Sequence, residues 1–144
     1  MINNVEREAM KNYKSYFSIS LSVLYSLLFI YGCSSNEYET KKLDKGELYY
    51  DRNISQDKVE TLGNFINQCA IFNDEVHKAR LTKSDSTYEL SLSVPSDMYN
   101  SDQYQNYAEI LAMQLSDDVF DHSKVDIHLT DSNFNTKVTK SSEH

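Results

Sequence analysis

Between Tyr16 and Gly32 runs a stretch, YFSISLSVLYSLLFIYG, that holds no charged residue, and it stops at Cys33, after which the chain turns polar at once. Such a run offers water no charge, so it is read as a membrane or export segment and not as part of a globular core. Beyond Cys33, apolar and polar residues alternate in short blocks, the pattern of a small globular domain. The 144 residues, 40% hydrophobic and 25% charged, suffice for one such domain behind one leader.

Arg7, Lys11 and Lys14 precede the run and the small Gly32 closes it, the layout of a secretory signal: positive n-region, apolar h-region, small-residue processing site. The competing reading is a spanning helix, which needs about 20 predominantly apolar residues to cross a hydrocarbon core of roughly 30 Å. This run is shorter and carries Ser18, Ser20, Ser22 and Ser26. Ile30-Tyr31-Gly32-Cys33 resembles the bacterial lipobox: an aliphatic residue, a tolerant position, a small residue, then Cys. The likeness covers these four residues and the run before them, and Tyr31 is bulkier than the residue usual in its place.

That resemblance implies a lipoprotein. The Cys33 thiol is diacylglycerated, the signal is cut before it, and the new amino terminus is acylated as well, commonly with palmitate. The lipid bilayer is then a partner through acylated Cys33, and the location is the cell envelope. Ser34, where inner-membrane proteins of this kind carry Asp, resembles the outer-membrane class, with the inner membrane as the alternative. Each buried methylene contributes about 0.8 kcal/mol, so two or three acyl chains hold a protein where one does so only marginally.

The chain is thus divided into a signal at 1–32, a flexible polar tether at 33–45, a small α+β domain at 46–140 and a disordered tail at 141–144. Cleavage would remove three of 14 basic and two of 22 acidic residues, leaving 11 and 20 and a mature part near minus nine. That balance argues against nucleic acid and admits a basic protein partner.

Within the domain, GELYYD alternates as a strand. Ser55 is placed to cap a helix over about 56–71, with Ile54 and Val59 as its hydrophobic staple and Val59, Leu62, Phe65, Ile66 and Cys69 on its buried face; Gly63 inside it suggests close packing on the sheet. Lys83-Ser84-Asp85-Ser86 reads as a hairpin turn, followed by Tyr88, Leu90, Leu92 and Val94 on one strand face, which Pro95 ends. A second helix is expected over about 102–117, with Tyr104, Tyr107, Ala108, Leu111, Ala112 and Leu115 as its stripe. Val125, Ile127 and Leu129 then form a strand, and 134–138 another. The order predicts an α+β, ferredoxin-like βαββαβ(β) sandwich, with two helices on one face of a mainly antiparallel sheet of four or five strands.

Chemistry-bearing motifs are sparse. Asp126 and His128 share a strand face, and Asp131 or His122 is the nearest third ligand in sequence, but H-E-x-x-H, paired cysteines at short spacing and an acidic calcium loop are all missing, as is a G-x-S-x-G elbow. His77 and His144, with His122 and His128, complete the four candidates for acid–base or metal chemistry; Asp117-Asp118 reads as a solvated helix end, and Cys69 as a buried small hydrophobe. No metal site, no cofactor and no enzymatic activity is expected. Eleven tyrosines without a tryptophan are the one oddity. Tyr99, Tyr104 and Tyr107 cluster at the start of the second helix and are the candidate interaction surface, because tyrosine buries much area at low entropy cost. The reading is a tethered binding or interaction module, with a structural envelope lipoprotein or an inhibitor-type blocker of a basic protein as alternatives.

Overall fold

The computed structural model describes residues 38–71 and 76–142; the lipobox with Cys33, the signal and His144 lie outside them. The chain divides into two units, Met1–Ser35 and Asn36–His144, and the second holds all of the described residues.

Its elements are β1 (Tyr38–Leu43), β2 (Gly46–Asp51), α1 (Gln56–Gln68), β3 (Lys78–Ser84), β4 (Thr87–Ser93), α2 (Ser96–Tyr99), α3 (Asp102–Asp118), β5 (Val125–Thr130) and β6 (Thr136–Ser141). The six strands form one sheet in the order of their sequence. β1/β2, β3/β4 and β5/β6 are antiparallel hairpins, while β2/β3 and β4/β5 are parallel and joined through helices. Register lines up one apolar row after another, Leu48 with Ala79, Leu81 with Leu90, and Leu90 with Ile127. All of these side chains are completely buried. Strand residues two apart share a face, so the whole core lies on one side of the sheet.

Both long helices cover that side. Gly63 of α1 faces the side chains of Lys41 and Leu43 on β1, and Lys41 stands opposite the core residue Leu48. α3 buries Ala108, Leu111, Ala112 and Leu115 into the same continuous core as α1's Val59, Leu62 and Ile66. Ile54 and Val59 flank the first turn of α1 and are both buried, as a staple requires. Ser55 is its N-cap, although the side chain makes no capping bond.

The ferredoxin-like expectation is overturned by the strand order. In that fold the two β-α-β units interleave, each helix stepping over a strand of the other unit. Here each helix joins adjacent strands, the sheet has six strands and a third helix, α2, follows Pro95. The two crossovers also differ in hand. β2 and β3 run opposite to β4 and β5, both crossovers step the same way along the sheet, and both helices lie on the same face, so one crossover must be left-handed. Parallel crossovers are right-handed in about 98% of cases, and the interleaved order would keep both of them so.

The ordered domain extends further at both ends than the sequence sets it. Tyr38–Leu43, assigned to the tether, is strand β1. Ser141 ends β6, and Ser142 is buried with its Oγ accepting the Val125 N–H at 2.9 Å. β1 escapes notice because it is an edge strand whose inner face carries Glu39 and a lysine stem, with Leu43 as its one aliphatic residue. Lys41 and Lys42 on β1, with Lys137 and Lys140 on β6, place charge on both open edges, a common defence against edge-to-edge pairing.

Candidate functional site

α3 divides its apolar residues between two faces. While four go to the core, Tyr104, Tyr107, Ile110 and Met113 remain 39%, 46%, 49% and 40% exposed. Their spacing of three falls 60° short of a full turn at each step, so they form a stripe winding across the outer surface of α3. At its N-terminal end the stripe meets a cavity of about 230 Å³ between α3, the ends of α1, β4 and β5, and α2, whose wall includes Ile71, Leu92, Met98, Tyr104, Tyr107 and Leu129. A second, shallower cleft of about 520 Å³ lies between α1 and α3, with Phe65, Cys69, Gln114 and Val119 among its lining. Burial pushes the Tyr107 hydroxyl above its ordinary pKa, and the nearby Cys69 adds to the shift. The Tyr107 hydroxyl is a neutral phenol, able to donate one hydrogen bond from a mostly apolar wall.

The flanking charges are mostly negative. α3 carries Asp102, Glu109, Asp117 and Asp118 and no basic residue. The one lysine of α1, Lys58, turns to Val119 O and Asp121 Oδ2, both at 2.7 Å. Lys41 is taken by Glu60, and Lys140 reaches Glu109 only at 4.0 Å.

Of the three tyrosines expected to act together, the structure brings Tyr104 and Tyr107 to one cavity wall. Tyr99 is part-buried against the core, its carbonyl accepting Gln105 Nε2 at 3.0 Å, and Met98 stands in the wall in its place. Cys69, expected to be buried, is exposed at the C-cap of α1. Ile110 and Met113 were missed, although they continue the three-residue spacing of Tyr104 and Tyr107.

The histidines are dispersed. His77 is exposed, His122 is an exposed partner of Asp117 at 3.0 Å, and His128 lies on the helix-free face with Thr139 Oγ1 at 2.8 Å and Glu89 Oε2 at 3.9 Å. Asp131, the proposed third ligand, is engaged in its own turn with Asn133, Asn135 and Lys137. Among the described residues, no three His, Cys, Asp or Glu side chains are grouped closely enough to hold a metal ion, and no helix is long and apolar enough to cross a membrane.

Residues 40–142 match the AF_1994_N family N-terminal domain. The chain belongs to that family. The matched span begins inside β1 and ends just past β6, so the family unit coincides with the six-stranded sheet and its helices. No curated protein and no solved structure matches the chain.

Proposed function

We propose that this family member is a lipid-anchored interaction module of the cell envelope, acylated at Cys33, that receives an apolar segment of a basic protein on its helix face and performs no catalysis. The observation that carries the reading is the stripe of Tyr104, Tyr107, Ile110 and Met113 leading into an apolar cavity. Four large, partly exposed apolar side chains winding in succession across one helix are more than the scattered apolar surface expected of a small domain. Acidic flanks around an apolar centre are complementary to a cationic amphipathic helix, the apolar part supplying affinity and the charge steering the approach. The anchor rests on Ile30-Tyr31-Gly32-Cys33, and Ser34 favours the outer membrane.

Titration of the full chain in detergent micelles with a synthetic lysine- and leucine-rich amphipathic helix tests the helix face. Saturable binding is expected, weakened by salt and reduced at least tenfold by Tyr107→Ser with Ile110→Ser. Equal binding by this variant overturns the reading and leaves the structural envelope role. Mass spectrometry of the amino terminus from a bacterial host tests the anchor: an intact Met1 with an unmodified Cys33 thiol would end that half of the proposal.

A further inference from the structure

The face of the sheet turned away from the helices is polar, and Arg80 at its middle is held by aromatic rings. Its guanidinium carbon lies over the Phe134 ring at 4.7 Å and over the Tyr38 ring at 5.5 Å. Tyr49, opposite Arg80 on β2, meets Phe134 edge-on at 6.2 Å. Arg80 has no carboxylate partner in any ion pair among the described residues. Its Nε is buried without a hydrogen-bond partner there.

An arginine without a carboxylate partner in a chain with 22 acidic residues is unexpected; of the carboxylates on its face, Asp126 pairs with Lys124 at 3.4 Å but keeps Oδ1 buried without a hydrogen bond, and two others are engaged by hydroxyls. Glu47 accepts the Tyr49 hydroxyl at 2.7 Å, and Glu89 accepts the Thr82 hydroxyl at 3.2 Å. The clamp itself is built by the β5–β6 turn. Asp131 accepts the N–H groups of Asn133 and Asn135 and the Asn135 side-chain amide at 2.9–3.0 Å, and Phe134 between them takes a left-handed φ of 61°. Without that turn, nothing would bring a β5–β6 ring over a residue of β3. Along the same row of the sheet, Arg80 is followed by Ser91 and then His128.

We propose that Arg80, gripped by Phe134 and Tyr38, is the anchor of a binding site for a carboxylate ligand on the helix-free face. Rings over the carbon of a guanidinium leave its hydrogen bonds to be made in its own plane, so the N–H groups not buried beneath the rings remain for an acceptor. A carboxylate matches a guanidinium N–H edge with two parallel bonds. Glu47 and Glu89 lie on the same face, on the two strands that flank β3, and disfavour a dianion such as phosphate more than a monoanion. This site is independent of the helix face and does not rest on the function proposed for it.

The test is an NMR titration of the isotope-labelled full chain in detergent micelles with sodium acetate, sodium phosphate and sodium chloride at matched ionic strength. Acetate is expected to produce saturable shifts at the Arg80 Nε–H and the amides of Tyr49 and Ser91, with chloride producing none and phosphate binding more weakly. Arg80→Gln should abolish the response. Arg80→Lys, which keeps the charge, and Phe134→Leu, which leaves the charge untouched, should each weaken it severalfold. A response to acetate that does not saturate, or one unchanged in Arg80→Lys and Phe134→Leu, overturns the site; tighter binding of phosphate overturns its assignment to carboxylates. The Tyr107→Ser, Ile110→Ser variant should leave the acetate response intact.

Discussion

The ammonium of Lys58, in the first turn of α1, donates to the carbonyl oxygen of Val119 at the C-cap of α3 at 2.7 Å, tying the start of one crossover helix to the end of the other. The same ammonium reaches Asp121 Oδ2 at 2.7 Å, but that carboxylate is 85% exposed. Lysine also satisfies one of the carbonyls left without a partner at a helix end and complements the negative end of its dipole.

Lys58→Ala should therefore lower stability by about 1–2 kcal/mol, the range for a hydrogen bond from a charged group with partial exposure. Asp121→Asn should shift it by under about 0.5 kcal/mol, because exposed ion pairs contribute little. Thermal unfolding of both variants checks the contrast, with about 4–8 °C of midpoint expected per kcal/mol for a domain of this size.

Phe120 is 1% exposed and stacks on Tyr88 with ring centroids 4.1 Å apart and an interplanar angle of 19°. Removing it empties the space where the α3–β5 connection packs on β4. Phe120→Ala is expected to cost about 3–5 kcal/mol, a large share of the roughly 5–15 kcal/mol that holds such domains. Denaturant unfolding measures it, and a loss under about 1 kcal/mol would contradict the packing described.

A Cβ at Gly63 would approach Lys41 Cε to 2.9 Å and Leu43 Cδ2 to 3.0 Å. Both atoms are side-chain ends that can move, and Ala gains about 1 kcal/mol of helix propensity over Gly. Gly63→Ala should come out within about 1 kcal/mol of neutral, while Gly63→Phe should cost about 1–3 kcal/mol by overpacking. Amide hydrogen exchange should find the loss concentrated in β1, the strand that α1 presses upon.

Hydrogen bonds from the Asn135 side-chain amide and N–H, then the N–H of Asn133 and the Lys137 ammonium, hold the Asp131 carboxyl well below the usual carboxylate range. A carboxyl with a depressed pKa in the folded state contributes stability that is complete above its unfolded value of about 3.9 and fades as pH falls below that toward the folded value. Asp131→Asn should be destabilising at pH 7, and its difference from the parent should shrink as pH is lowered below about 4. Paired melting curves across that window test it; a constant difference would mean that the turn does not depend on the charge.

The strand face of Tyr88, Leu90, Leu92 and Val94 was legible because alternation over a central strand is the strongest local signal of burial, and all four residues are buried. The staple of Ile54 and Val59 was legible because its two partners lie only five residues apart, on either side of the Ser55 cap. The part of the interaction stripe contributed by Tyr104 and Tyr107 could be read from spacing. Tyr99 misled because helix α2, only four residues long, turns it toward the core. Cys69 misled because helical phase continues on paper after α1 has ended at Gln68. The Arg80 cluster left no local trace, since Tyr38, Arg80 and Phe134 come from three separate places in the chain and only the turn at Asp131 brings the last of them across.

By itself, the sequence determined the acidic balance of the chain and most of the helices and strands, because these depend on composition and on residues that are neighbours in the chain. Only the tertiary structure decided which strands lie side by side, that one crossover runs against the usual hand, and which side chains meet on either face of the sheet. The interleaved and the sequential sheet use the same βαββαβ order and the same apolar alternation. What separates them is the pairing of distant strands, which no local pattern encodes.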